Sequence, residues 1–248
     1  MSLAFAQAWR YPRQMSRTNI IVDVSEWTGS QINWRALADA GVTAAYVKAQ
    51  NGNDGPNPHY DQQVSGAMAA GLVVGAYLAV FPLPEDQQHA GRSPADQVSE
   101  FWRSSGGLGI DESTLPPMLD CEWPEASEWS RYGCSAASIA QWIESAGAFV
   151  DQQWRRRCGI YCDADWWGSL GGAGLLSCFA LRPLWLAEYP VPGVQLKPPA
   201  KQPTAPRPWQ SVQIWQFTGD FVVPASGCRA DGSVFCGDDA AWRRFITP

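Results

Sequence analysis

The sequence predicts a single-domain α/β barrel, on three observations. Short β-rich apolar runs alternate with helical stretches, the pattern of a parallel sheet. About eight such runs fit within 248 residues, an ordinary length for one barrel domain. Asp23, Asp120 and Glu122 all fall at the C-terminal ends of predicted strands, where barrel enzymes place their chemistry.

The elements follow in order. Residues Met1 to Thr18 read as an N-terminal arm, and residues 19–248 as the barrel. Asn19 to Val24 is the first strand. Asn33 is placed to cap a short helix that runs through Ala40 and closes at Gly41. Ala44 to Ala49 is the second strand, Gly52 to Pro58 a loop, and His59 to Ala70 a helix ending at Gly71. Leu72 to Leu78 is a continuous apolar run, as in a strand buried on both faces. Ser93-Pro94 starts the next helix, with Pro at its first position. Met118 and Leu119, after Pro116-Pro117, end a fourth strand. Ser135 opens the longest helix, in which Ile139, Trp142, Ile143, Ala146, Phe149, Val150 and Trp154 recur at helical spacing and are predicted to face the core. Gly159 to Cys162 and Leu184 to Ala187 are further strands. Pro190 to Pro208 holds seven prolines and reads as a surface loop. Ser211 to Phe217 is a strand, Phe221 to Phe235 a turn-rich hairpin, and Asp238 to Phe245 a closing helix.

Composition narrows the function. Apolar residues make up 46% and charged residues 17%, so the chain can bury a sizeable core. The net charge is −6 and no long Lys/Arg run occurs, which argues against nucleic acid as partner. Arg155-Arg156-Arg157, the densest cluster, follows a predicted helix, where cations complement the dipole. No stretch is long enough to span a membrane. The arm has no basic region before Leu3-Ala4-Phe5-Ala6 and is not read as a signal peptide. The seven Cys show no zinc spacing, and the two His, His59 and His89, lie in separate polar loops, so neither a metal nor another cofactor is expected. Cys228 and Cys236 flank a Gly/Asp-rich turn that a disulfide could staple. The fourteen Trp exceed what a core of this size ordinarily takes, and indole faces stack well on sugar rings.

Leu119-Asp120-Cys121-Glu122 carries the chemistry. Strand side chains alternate, so Asp120 and Glu122 point to one face, roughly 6–7 Å apart along the chain, with Cys121 in the opposite direction. Two carboxylates beside apolar neighbours are costly to bury. Their repulsion pushes their pKa values apart, which makes one an acid and the other an anion. Cleavage of a glycosidic bond uses such a pair. The same carboxylates would also serve as a loop cap or an ion-pair partner.

Eight segments in order resemble glycoside hydrolase family 25, over about Asn19 to Phe245. They are Ile21-Val22-Asp23-Val24-Ser25 with Trp27 and Gly29; Tyr46-Val47-Lys48-Ala49 with Gly52; Ala69-Ala70-Gly71-Leu72 through Gly75-Ala76-Tyr77; Leu119-Asp120-Cys121-Glu122; Gly159-Ile160-Tyr161; Trp185-Leu186-Ala187-Glu188-Tyr189; Ile214-Trp215-Gln216-Phe217-Thr218; and Asp231-Gly232-Ser233-Val234-Phe235. The resemblance implies an irregular TIM-like (β/α)5(β)3 barrel. It also implies hydrolysis of the β-1,4 bond between N-acetylmuramic acid and N-acetylglucosamine in bacterial peptidoglycan. By position, Glu122 matches the general acid/base, and Asp120 the residue that stabilises positive charge or orients the substrate N-acetyl group. Asp23 and Asp231 complete the acidic cluster, although Asp231-Gly232 also suits an ordinary hairpin turn. Tyr77, Tyr161, Trp185, Tyr189, Trp27 and Trp215 match cleft positions. Trp27, Trp185 and Trp215 remain divided between core and sugar contact.

The chain departs from the family pattern at Asn51, Leu78 and Ser233, where Glu, His and Asn are usual. Two other readings stay open beside a muramidase: a wall-glycan-binding barrel that has lost turnover, and a chitinase-like glycosidase. The muramidase reading implies a monomer acting on the cell wall outside the cytoplasm, reached by phage-type release or other delivery.

Overall fold

The computed structural model describes residues 18–86, 91–110, 113–171 and 175–247. All but Thr18 of the predicted arm, and His89, lie outside them.

Strand and helix alternate through the first five units. β1 (Ile20–Val24) leads to α1 (Trp34–Asp39), and β2 (Val42–Asn51) to a two-residue strand, β3 (Gly55–Pro56), and α2 (Tyr60–Ala69). β4 (Val73–Ala79) is followed by α3 (Pro94–Ser105), β5 (Met118–Asp120) by α4 (Ala136–Trp154), and β6 (Gly159–Asp163) by the short α5 (Ala164–Ser169). Three strands without intervening α-helices complete the set: β7 (Leu184–Ala187), β8 (Ile214–Phe221) and β9 (Ala230–Phe235), before α6 (Asp239–Ile246). β1 pairs with both β2 and β9, so the sheet closes; β3 pairs only with the end of β2 and stands outside the ring. The result is the (β/α)5(β)3 barrel. Within the ring, neighbours from β1 through β8 run parallel, while β9 is antiparallel to both β8 and β1.

Local chemistry sets the helix starts as the sequence predicts. Asn33 accepts from Ala36 N, and Ser93 accepts from Asp96 N with Pro94 behind it. Ser135 and Ser138 form a reciprocal capping box at α4. Gly106, in the left-handed conformation, ends α3.

Strand alternation divides the interior into two cores. Outward residues, among them Val22, Val47, Leu78, Leu119, Cys121, Ile160, Leu186 and Trp215, pack with the helices. Inward residues Ile21, Tyr46, Met118, Tyr161, Trp185, Ile214 and Phe235 fill the barrel. Tyr46 and Trp185 stack with centroids 4.7 Å apart, and the Tyr46 hydroxyl donates to Pro116 O at 3.0 Å. Two inward glycines make this filling possible. A Cβ on Gly75 would lie 2.7 Å from Tyr46 Cε1 and 2.5 Å from Leu115 Cβ, and one on Gly159 would lie 2.2 Å from Met118 Sδ.

Several expectations are corrected. Phe149 is 40% exposed, because the apolar stripe of α4 is completed by Ile139, Trp142, Ile143, Ala146, Val150 and Trp154, and position 149 lies past its edge. The three arginines after α4 do different work. Arg155 is the left-handed cap, and Arg157 donates to Leu181 O. Arg156 is buried and donates to Gly109 O, Thr114 O and Phe245 O, tying α6 and the loop before β5 to the end of α4. Cys228 and Cys236 are free thiols, as are the other five cysteines. Strand β8 starts at Ile214 and continues past Phe217 to Phe221, because β9 pairs along it.

Candidate active site

The four predicted carboxylates meet at one end of the barrel. Asp23 sits near the end of β1 and Asp120 ends β5. Glu122 lies two residues on, just outside the strand. Asp231 comes from the opposite end of its own strand. Because β9 is antiparallel, its beginning lies at the carboxyl ends of the parallel strands, and Asp231 pairs directly with Asp23. One pocket is lined by all four with Ser25, Lys48, Tyr77, Tyr161 and Trp185.

The aromatic predictions separate. Tyr77, Tyr161 and Trp185 line this pocket. Trp185 is 1% exposed and belongs to its floor: it touches Tyr161 edge-on, and its indole N–H donates to Ser233 Oγ at 3.0 Å. Tyr189, half exposed, reaches the same network through its hydroxyl. Trp27 is 86% exposed and lines a second depression, which shares Asp23, Ser25, Tyr77 and Asp231 with the first. Trp215 is not brought to the site. Its strand parity turns it outward into the helix layer, where its indole donates to Glu188 O at 2.8 Å.

Parity also gives a residue the sequence reading passed over. Gln216, next to Trp215, points inward and is buried. Its Oε1 accepts from the hydroxyls of Tyr161, at 2.9 Å, and Tyr189, and its Nε2 donates to Asp23 Oδ2 at 3.0 Å. Two hydroxyl donors on the oxygen leave the amide only one orientation, with its N–H toward the carboxylate. Lys48, also unassigned from sequence, extends from β2 into the pocket, with Nζ 3.5 Å from Glu26 Oε1 and 5.9 Å from the Tyr77 ring centroid.

The Glu122 loop is held from its far side. Trp123 packs against Phe81 and Tyr132, with centroids 4.7 and 5.0 Å away, and Pro124 O accepts indole N–H groups from Trp129 and Trp166, each at 2.9 Å. The bond between Trp123 and Pro124 is cis. This packing aims Glu122 back over the pocket although it is no longer in the strand.

Electrostatics follow from crowding. Asp23 and Asp120 are buried, and burial raises both pKa values well above the usual carboxylate range; Asp231 adds to this at Asp23 and Glu122 at Asp120. The Gln216 amide partly offsets the rise at Asp23, and Lys48 does so at Asp120. Asp231 is raised to about 6, chiefly by burial, with Arg229 opposing. Glu122 stands at the rim with its outer side in water, yet the wall behind it raises its pKa too; Lys48 opposes, and Asp163 and Asp231 add to the rise. Lys48 is the one cation lining the pocket with these four carboxyls, so ionisation of each is opposed by the others. Asp120 Oδ1 is buried and has no hydrogen-bond partner among the described residues.

The three departures lie outside this arrangement or support it. Leu78 is buried in the outer core, Asn51 bonds to Asp54, and Ser233 accepts from the Trp185 indole.

The comparisons agree with the geometry. The profile of glycosyl hydrolases family 25 matches residues 22–226, which leaves Asp231 just beyond the match. The chain is 29% identical over 221 residues to lysozyme M1 of Streptomyces globisporus, covering 88% of this chain and 68% of that one. It is 29% identical over 218 residues to the N,O-diacetylmuramidase of a Chalaropsis species, covering 86% and 93%. The crystal structure of a bacterial lysozyme from Streptomyces coelicolor superposes with a TM-score of 0.74 at 26% identity, over 92% of this chain and 96% of that one. A closed barrel with carboxylates gathered at its strand ends, matched over most of its length by these proteins, belongs to glycosyl hydrolases family 25.

Proposed function

We propose that this glycoside hydrolase is a muramidase, a lysozyme that cuts the β-1,4 bond between N-acetylmuramic acid and N-acetylglucosamine in bacterial peptidoglycan. The observation that carries the assignment of roles is the unequal placing of four carboxyls around one pocket. Glu122, at the rim with its pKa raised by burial, is the acid that donates a proton to the glycosidic oxygen. Asp120, deeper and with Oδ1 unpartnered, faces the sugar carbon that becomes positive or the N–H of its acetamido group. The 2-acetamido oxygen of muramic acid then serves as internal nucleophile, as in substrate-assisted glycosidases, and Glu122 removes the proton from the water that resolves the intermediate. Asp23, fixed by Gln216, and Asp231 add the negative charge that an oxocarbenium-like transition state favours. Tyr77, Tyr161 and Trp185 wall the sugar site. The enzyme acts as a monomer without a cofactor, on the wall outside the cytoplasm, released in the manner of a phage endolysin or by other delivery. No helix of the described residues is long and apolar enough to cross a membrane.

Borohydride reduction of digested peptidoglycan followed by mass spectrometry tests the assignment. Reduced muramic acid ends are expected. Reduced glucosamine ends, or cleavage of chitin oligomers alone, would favour the chitinase-like reading, and no cleavage on several wall types would favour a binding barrel.

A further inference from the structure

The depression beside the catalytic pocket holds a feature that the four-acid mechanism does not use. It is lined by Trp27, Thr28, Gly219, Arg229 and Ala230, together with Asp23, Ser25, Tyr77 and Asp231, which it shares with the catalytic pocket. The two therefore form one continuous surface. Gly219 lines the second depression beside both: a Cβ there would stand in ordinary contact, 3.5 Å from the Tyr189 ring and 3.6 Å from Asp231 Oδ1. The outer wall is the Trp27 indole, 86% exposed on a one-turn helix that Ser25 caps. Facing the same space is Arg229. Its Nε is 2.8 Å from Asp220 Oδ1 and its side chain is 68% exposed. The Asp220 pair engages one N–H of the guanidinium, and the fork carries four more.

Charge makes this arginine conspicuous. The chain is anionic overall, and four carboxyls surround the catalytic pocket. A glycan that bears carboxylates of its own is repelled there unless a cation receives them. Two cations line the joined depressions. Lys48 is 13% exposed and turned to Glu26, whereas Arg229 is open to solvent.

Resting on the muramidase reading, we propose that Trp27 and Arg229 form a subsite for a second muramic acid of the strand, beyond the one that is cut, with the indole under the sugar and the guanidinium binding a carboxylate on its 3-O-lactyl arm. That carboxylate is either the free lactyl acid of a stripped glycan or an acid of the attached stem peptide. Asp220 positions the fork. Arg229 thereby selects muramyl glycans over neutral ones, and it is a specificity residue without a part in bond cleavage.

The test compares kcat/KM of the wild type, Arg229→Gln and Arg229→Lys on three preparations of one glycan: with stem peptides, with the peptides removed by an amidase, and with all carboxyls converted to neutral amides. In Arg229→Gln the ratio of acidic to neutral glycan is expected to fall about fivefold, the scale of one partly exposed charge-assisted hydrogen bond, mainly through KM. Arg229→Lys restores part of it. A fall confined to the peptide-bearing glycan identifies an acid of the stem peptide as the source, a fall confined to the stripped glycan identifies the free lactyl acid, and a fall on both shows that the fork receives either. Equal losses on all three preparations, or a ratio within twofold of the wild type, would overturn the subsite while leaving the muramidase reading intact. Failure of the wild type to cut any of the three would overturn both.

Discussion

Gln216 shows how a residue outside the reacting pair can control it. One amide takes hydroxyl protons from Tyr161 and Tyr189 and gives an N–H to Asp23, so a cleft wall and a buried carboxylate are set by the same side chain. The hydrogen bond lowers the Asp23 pKa against the larger effect of burial. Removing it, as in Gln216→Leu, raises that pKa further. If the ionised form of Asp23 is the one that supports the transition state, the acid limb of the kcat profile then moves to higher pH. The expected kcat loss is at most about a hundredfold, below the range for a donor lost from the reacting atoms themselves, because Gln216 acts through Asp23. A merely structural role would lower kcat at every pH and leave the limb in place, and a pH-rate profile separates the two. Gln216 was not legible in the sequence as a site residue. Its neighbour Trp215 drew the attention, and only the parity of β8 tells which of the two faces inward. The same parity took Trp215 out of the cleft. Asp23, Asp120 and Glu122 were legible, because strand ends and alternation are local properties. Asp231 rested on resemblance to a family segment, and the finding that its strand runs antiparallel explains how the start of a strand can serve a site made of strand ends.

At the scale of elements, the barrel closes around its aromatic filling because small residues stand where large ones need room. Gly75 on β4 lies against the Tyr46 ring, and that ring is pinned between Trp185 and the Pro116 carbonyl. It cannot swing away as the end of a flexible chain would. Gly75→Ala is therefore expected to destabilise the fold by about 1–3 kcal/mol, the usual cost of overpacking a filled core. A denaturant titration showing no loss would mean that Tyr46 has freedom its contacts do not suggest. Helix starts were the best-read features in the sequence: Asn33, Ser93-Pro94 and Ser135 each cap the helix they were assigned to. Strand ends were read less well, since pairing with a neighbour extends β2 to Asn51 and β8 to Phe221, and a partner's length is invisible in a strand's own composition.

For the molecule as a whole, polarity of the barrel organises everything else. Its lower interior is apolar, with Ile21, Met118, Ile214 and Phe235, and its upper interior is acidic. α6 packs beneath through Trp242 and Phe245 on Phe235, and the buried Arg156 anchors its last turn. Apolar packing fills one end and the carboxylates gather at the other, the division expected of a barrel enzyme. Alternation in the sequence predicts a barrel with its acids at the strand ends, and the (β/α)5(β)3 form is what the family resemblance implies. Arg156 was assigned a helix-end role from sequence because its carbonyl partners lie 42 to 89 residues away, a distance no local pattern reports. The account's central claim is that Glu122 gives the proton, and kcat of Glu122→Gln on peptidoglycan tests it most directly. The amide keeps the size of the side chain and removes its acid. With folding verified by the thermal transition, kcat is expected to fall about 10²–10⁴-fold, the contribution of a positioned general acid. Activity within tenfold of the wild type would contradict the account and move the proton to one of the deeper carboxyls.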